Sequence, residues 1–382
     1  MMYAGIDLHK QFCQCYVEDE HGQQVRSAKV KSEVKEVITF FDYLPDKVSI
    51  AVEACGIKDN LIDELRNKGH KVVVSNPAKN RLIAEARIKT DKIDAKILAD
   101  LLRADMLATS YYPPQEIRQL RTLVRQRAYY VKRRTACKNK IHRTLLRNGT
   151  KIPYDKPFSK KGITFLRTNN YPDAIFIQQL LHSIDQDTAV INALEQQIQE
   201  TGSTIKQISL LRTTYGIDWI NAATIWSEIG DITRFKNHKK LVGLTGLIPR
   251  IHQSGQTSYT GSITKQGSPI LRYALVQATH TCIKQKNHIK SFYLHLVRAK
   301  GKKKAIVAAA RKLSISIYYM LKNNQPFIPY CHNMTRQGRG KPDQQLVLKT
   351  RFCDWDTATN CRNVTSVTPS RMNTDGRMCQ SP

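Results

Sequence analysis

The sequence predicts an α/β domain at the N-terminus, a helical arm after it, and a mostly α C-terminal domain. Three observations lead there. Short apolar runs alternate with helical spacing through the first third. A long helical stretch without any acidic residue follows. Helices punctuated by glycine then fill most of the remainder. At 382 residues the chain is long enough for two or three cores. Lys and Arg outnumber Asp and Glu by 61 to 31, a formal net charge of +30. Such an excess points to a polyanionic partner, most simply nucleic acid, with a membrane surface as the competitor. No apolar run is long enough to span a bilayer. The segment from Met1 to Asp7 lacks the charged region and cleavage site of a signal peptide. Nine cysteines, odd in number and without framework spacing, read as reduced thiols in a cytoplasmic protein. No membrane association is expected.

The elements of the first third can be taken in order. Tyr3 to Leu8 and Phe12 to Val17 read as strands, and Gln24 to Val30 as a third. The polar run from Glu18 to Gly22 makes the turn between the second and third. Val34 to Leu44 has helical spacing and stops at Pro45. Val48 to Val52 is a fourth strand that ends at Glu53, Asn60 to Lys68 a helix closed by Gly69, and Val72 to Val74 a fifth strand. A helix over roughly Ala78 to Ile88 precedes another from Asp91 to about Arg103, and Pro113-Pro114 ends the unit. Strands one to three fit an antiparallel meander; strands four and five, each reached through a helix, fit parallel additions.

Within that unit one stretch stands out, Thr90-Asp91-Lys92-Ile93-Asp94. Residues three apart share a helix face, so the two acids point the same way and repel. The plain reading is a helix start with Asp91 as N-cap and Asp94 in the first turn. The other is a divalent metal held by carboxylates and facing a phosphate. On strand one, Asp7 points opposite to Ile6 and Leu8; on strand four, Glu53 continues the Ser49 and Ala51 face. If those strands are neighbours, Asp7 and Glu53 meet near one end of the sheet, where the helix bearing Asp91 and Asp94 can cover them.

The succession Gly5-Ile6-Asp7, Glu53-Ala54-Cys55-Gly56, Asn76-Pro77 and Lys89-Thr90-Asp91-Lys92-Ile93-Asp94-Ala95 resembles the DEDD domain of insertion-sequence transposases related to the Piv/MooV DNA invertases. The resemblance implies an RNase H-like (RuvC-like) fold in which Asp7, Glu53, Asp91 and Asp94 are the four catalytic acids. It also implies Mg²⁺ as their cofactor, two ions stabilising the attacking and leaving oxygens at a phosphodiester.

From Ile117 to Tyr154 there is no acidic residue. Arg121, Arg125, Lys132, Arg133, Arg134 and Lys138 belong to a basic amphipathic helix ending at Asn148-Gly149. A run of like charge without interleaved acids would repel itself, so a phosphate backbone is the expected partner. Tyr129 and Tyr130 could stack on bases, although core packing is the plainer role. Ala174 to about Leu211 is a second long helix with apolar spacing. The two fit an antiparallel coiled-coil arm, which in the resembling family separates the catalytic domains and supports oligomerisation, as a dimer or tetramer.

Leu210 to Gly230 reads as helix, turn, helix. It is similar to a phosphate-gripping helix-hairpin-helix, except that Asp218 stands where the second turn glycine is usual; an ordinary αα-hairpin is the alternative. Leu241 to Arg250, Ser254-Gly255, Gly261, Lys265, Gly267 and Leu271-Arg272 resemble the second domain of the same transposases. The resemblance makes Ser254 the nucleophile for a DNA phosphate; Arg250 and Lys265 are candidates to hold phosphate. A serine hydroxyl needs activation; His252 is nearby in sequence, and the metal site is the other source if the domains meet. Ser258, Ser262 and Ser268 are rival serines. Pro269 to Lys284 reads as a helix, Lys300 to Lys304 as a basic loop and Ala305 to Leu321 as a closing helix; the tail beyond Pro326 lacks periodicity and is expected to be poorly ordered.

These readings divide the chain into a catalytic domain (1–114), a basic arm (115–205), a serine-bearing domain (206–326) and a tail (327–382). They imply a DNA transposase or site-specific recombinase that cuts and rejoins its own element. The resemblance adds a structured guide RNA as a further partner. Two alternatives stay open: a metal-dependent junction endonuclease using water, and a non-catalytic nucleic-acid-binding protein.

Overall fold

The computed structural model describes residues 1–53, 59–80, 83, 90–254 and 257–329. The chain divides into two compact units, Met1–Pro114 and one beginning at Gln115.

The first unit contains β1 (Met2–Leu8), β2 (Phe12–Glu18), β3 (Gln24–Lys31), α1 (Val34–Asp42), β4 (Val48–Glu53), α2 (Asp59–Asn67), β5 (Lys71–Ser75), α3 (Pro77–Asn80), α4 (Asp91–Arg103) and β6 (Thr109–Ser110). One sheet holds them in the order β3-β2-β1-β4-β5-β6. The first three strands form an antiparallel meander. β4 and β5 add parallel, as their helical crossovers require. β6 closes the edge antiparallel; two residues are too short for a sequence period, so this strand was not expected. The turn after β2 is held by Asp19, whose Oδ1 accepts from the amides of His21 and Gln23.

The sheet has two unlike faces. On one, Ile6, Cys13, Cys15, Val17, Ile50, Val52 and Val74 pack against Phe40 and Phe41 of α1 and Leu61, Ile62 and Leu65 of α2. The other carries Asp7, Gln14, Tyr16 and Glu18 and is covered by α4, with Ala95 and Ala99 against Tyr16. The alternation along β1 and β2 dictates this split. The helix expected over Ala78 to Ile88 is observed only as the short α3. Ile83 sits in a turn, and the rest of that stretch lies outside the described residues.

The second unit contains α5 (Gln115–Arg147), α6 (Lys160–Thr168), α7 (Ala174–Gly202), α8 (Lys206–Leu211), α9 (Trp219–Ile229), α10 (His238–Thr245), β7 (Pro249–Ser254), β8 (Thr257–Ile263), α11 (Pro269–Cys282) and α12 (His288–Asn323). α5 and α7 run antiparallel, pairing Arg127 with Glu195, Arg133 with Asp187 and Arg147 with Asp173. The long helix expected from Ala174 to Leu211 is broken after Gly202, and Ile205 is extended before α8. At the break Gly202 lies close to Ile208 of α8, where a Cβ would stand 3.0 Å from Ile208 Cδ1. The expected basic loop at Lys300–Lys304 is also corrected. Those residues are helical, and the interruption is confined to Gly301, at φ 74° and ψ 162°. A core of Leu211, Ala223, Leu271, Leu275, Leu313 and Ile317 joins α8, α9, α11 and α12. Apart from Phe327, Ile328 and Pro329, the predicted tail lies outside the described residues.

Candidate active site

Gly5 sets where α4 lies. A Cβ at that position would stand 1.9 Å from the Ala95 carbonyl oxygen, so only glycine lets the helix backbone settle on β1. Thr90, not Asp91, is the N-cap; its hydroxyl oxygen accepts from the Ile93 amide. Asp91 is therefore the first helical residue, and Asp91 and Asp94 both lie in the first turn.

This seating brings Asp91 to Asp7. Between them stands His9, whose Nε2 is 3.1 Å from Asp7 Oδ2 and 3.1 Å from Asp91 Oδ1. One ligand atom from each of Asp7, His9 and Asp91 falls within 4.8 Å of the other two, so these residues could hold a metal ion. The Asp7 side chain is only 8% exposed. Burial is the largest influence on its carboxyl and pushes its pKa up; His9 pulls it down, and the charges of Asp94 and Asp91 push it up again. A cation would relieve that crowding, and a set of carboxylates with one imidazole suits a divalent metal. Ile6 pairs with Val52, so continuing the parallel register sets Asp7 level with Glu53, which is half-buried at the end of β4. Ala54, Cys55 and Gly56 of that motif lie outside the described residues. Sequence reasoning passed over His9. The signal was present, because His9 follows Asp7 by two residues, just past the end of β1, and extended backbone puts positions two apart on the same side.

The other end of α4 is also acidic but has its own cation. Glu18 is fully buried, and Arg103 donates to its Oε1 at 2.8 Å and to Asp100 Oδ1 at 3.2 Å. Glu18 Oε2 has no hydrogen-bond partner among the described residues.

The basic helix α5 needs a correction of its premise. Its arginines are not without acids; the acids come from elsewhere in the chain. Arg121 donates to the Ser227 carbonyl at 2.9 and 2.7 Å. Arg125 is bidentate on buried Glu228 at 2.8 and 3.1 Å. Arg133 pairs with fully buried Asp187, and Arg134 donates to Thr188 Oγ1 at 3.2 Å. Lys138 lies over the Phe158 ring; burial and then Arg134 push its pKa down. Lys132 is exposed. Much of this charge therefore holds α5 to α7 and α9.

In the serine-bearing region, Ser254 ends β7 and pairs with Thr257 of β8; the two residues between them lie outside the described residues. Arg250 and Lys265 are exposed. Of the rival serines, Ser268 caps α11 by accepting from the Leu271 amide, and Ser262 is exposed on β8. Arg272 Nη1 donates to the Thr245 carbonyl, and a Cβ on Gly267 would meet the Leu244 carbonyl at 2.2 Å. The glycines and arginine of this motif thus close α10 against the entry to α11. Asp218 caps α9 by accepting from the Asn221 amide at 2.7 Å. A carboxylate already fills that helix start, and the turn reads as an ordinary αα-hairpin.

Residues 4–148 match a family model for DEDD transposases of the IS110 type, described as Transposase. Residues 208–294 match one described as Transposase IS116/IS110/IS902 family. The chain is 26% identical over 258 residues to the putative transposase y4qE of Sinorhizobium fredii, covering 68% of this chain and 63% of that one. It is 27% identical over 338 residues to a probable family 20 transposase of Pseudomonas aeruginosa, 85% of this chain and 98% of the other. It is 26% identical over 348 residues to the pilin gene-inverting protein of Moraxella bovis, 86% and 98% of the two chains. These relatives are transposases and a DNA invertase, enzymes that cut and rejoin DNA. The chain belongs to the IS116/IS110/IS902 transposase family.

Proposed function

We propose that this protein is the recombinase of its own mobile element. In this reading Asp7, Glu53, Asp91 and Asp94 form an RNase H-like DEDD site and Ser254 is the nucleophile. The observation that supports it best is the convergence of Asp7, His9 and Asp91, with Asp94 close enough for its charge to raise the Asp7 carboxyl. The strand order, an antiparallel meander extended by parallel strands, agrees with an RNase H-like sheet. Mg²⁺ is the proposed occupant; when bound it would offset negative charge at the scissile phosphate. The Ser254 hydroxyl attacks a DNA phosphate, forming a phosphoserine ester and releasing a DNA hydroxyl end. Attack on that ester by a hydroxyl of the exchanged strand restores the serine and rejoins the DNA. The number of phosphodiester linkages is conserved, so no external energy source is needed. Arg250 and Lys265 hold phosphate, and Lys132, with the outward parts of Arg121, Arg125, Arg133, Arg134 and Lys138, gives α5 a positive surface. The paired helices α5 and α7 serve as a coiled-coil arm through which two or four copies assemble. The net charge of +30 suits a structured RNA of the element, acting as guide, as well as DNA.

The test is incubation with DNA flanking the protein's own gene and Mg²⁺, with and without RNA transcribed from that flank. Expected is strand exchange through a covalent protein–DNA species that Ser254→Ala abolishes while DNA binding persists. Cleavage with no covalent species would identify a water-using endonuclease. Wild-type exchange by Ser254→Ala would remove the serine from the reaction. Unchanged exchange without the RNA would remove the guide.

A further inference from the structure

The hairpin β7–β8 has a feature that the proposed chemistry does not use. His252 and Tyr259 are directly opposed across the two strands. Their rings stack with centroids 4.9 Å apart and planes 13° from parallel. A cross-strand aromatic pair ordinarily stabilises a hairpin from within a covered sheet face. Here the hairpin is open to solvent: Tyr259 is 64% and Ile251 65% exposed, and His252, Thr257 and Thr260 are also exposed. Each ring covers one face of the other, leaving flat aromatic surface outward in a geometry already fixed before any ligand arrives.

The position and the charge say what would cover it. His252 is two residues from Ser254, and Tyr259 is two residues from Thr257, the register partner of Ser254. Around the hairpin the chain is exclusively cationic: no Asp or Glu occurs between Asp231 and Asp343. Arg250 and Lys265 flank the hairpin, and both are exposed. In contrast to α5, whose arginines meet Asp187, Glu195 and Glu228, Arg250 and Lys265 form no ion pair among the described residues. An exposed π-face beside exposed cations is the combination that binds an unpaired nucleotide, the base stacking while the backbone is held electrostatically.

We propose that the His252–Tyr259 pair is a stacking platform for an unpaired DNA base next to the phosphate presented to Ser254. The proposal rests on the Ser254 reading for that location, and on the exposed ring pair for the stacking itself. Stacking on this platform holds a strand end out of the duplex, which a strand-exchange reaction requires between cutting and rejoining.

The test uses the full chain without divalent cation, so that no cutting occurs whichever residue attacks DNA. Oligonucleotides from the DNA flanking the gene carry 2-aminopurine, either unpaired or within duplex. Expected is quenching of the unpaired probe by the wild type and by Tyr259→Phe. Tyr259→Thr keeps a strand-forming residue in the hairpin but removes the ring; it should abolish quenching and weaken binding of the unpaired probe by at least about fivefold. Duplex binding and the melting temperature should stay unchanged. Wild-type quenching by Tyr259→Thr would overturn the proposal, as would equal loss of duplex and unpaired binding. Tighter binding and stronger quenching with RNA of the same sequence would overturn the assignment to DNA. Covalent trapping in Mg²⁺ reports separately on Ser254: quenching without a trapped species leaves the platform standing and removes the serine, and the reverse result does the opposite.

Discussion

The two ends of α4 solve one electrostatic problem in opposite ways. Each end presses carboxylates onto the same face of the sheet. At the C-terminal end, buried Glu18 and Asp100 meet Arg103, a cation the chain supplies for itself. At the N-terminal end, Asp7 meets Asp91 and Asp94 with His9 between, and its carboxyl is pushed up in pKa by burial and by its acidic neighbours. An end that brings its own cation is structural, because breaking the pair strands a buried charge. An end that crowds acids is held at a cost in stability, and such a cost persists where a ligand or reaction uses it.

That contrast can be broken by substitution. The largest effect is expected from Asp91→Asn: DNA cleavage with Mg²⁺ falls by at least about 100-fold, the loss of a few kcal/mol of metal-dependent stabilisation. The melting temperature of the metal-free protein should hold or rise, since a like charge beside Asp7 is removed. A fall of several degrees would mean that this end too is structural. Next comes Gly5→Ala, which forces a methyl into the Ala95 carbonyl and so displaces both ends together. It should cost about 2–3 kcal/mol in a denaturant titration and lower cleavage as well. A variant as stable as wild type would show that α4 is not seated as described.

Arg103→Ala should act on one end alone. It leaves Glu18 buried without its cation and lowers the melting temperature by several degrees. Cleavage by the protein that remains folded should be unchanged, and Glu18→Gln in the same chain should recover most of the loss. The smallest effect separates both ends from the background of acid sensitivity. His70 accepts from the Val48 amide through Nδ1, which requires the neutral ring, and burial followed by Lys47 holds its pKa down. The unfolded chain then binds a proton that the folded one resists, so stability falls as the pH drops below about 6.5. Melting curves above and below that value should converge in part for His70→Gln; an unchanged slope would assign the effect elsewhere, for example to His288, which burial also pushes down.

The site was partly legible before the fold was known. The spacing of Asp91 and Asp94 put them on one turn, and alternation put Asp7 and Glu53 on one sheet face, because both periods are local properties of the backbone. His9 was missed because its role depends on Asp91, 82 positions further along the chain by number. The same reason accounts for the misread arginines of α5. A window without acids looks uncompensated, yet Glu228 and Asp187 return to it from 103 and 54 residues away. The breaks at Gly202 and Gly301 were visible as glycines but not as interruptions of particular length, since a helix continues or stops according to what packs beside it.

By itself the sequence determined the first five strands and helices α1, α2 and α4 of the N-terminal unit, the division of its sheet into an apolar and a polar face, and the order of motifs that marks a transposase. Only the tertiary structure decided which carboxylates receive an internal cation and which are left for another, that His9 joins Asp7 and Asp91, and that an aromatic pair stands uncovered near Ser254. Periodicity is written in neighbouring residues and survives without a fold. Charge compensation and exposure depend on contacts between residues far apart in the chain, and these exist only once α4 is seated on Gly5 and the β7–β8 hairpin has closed.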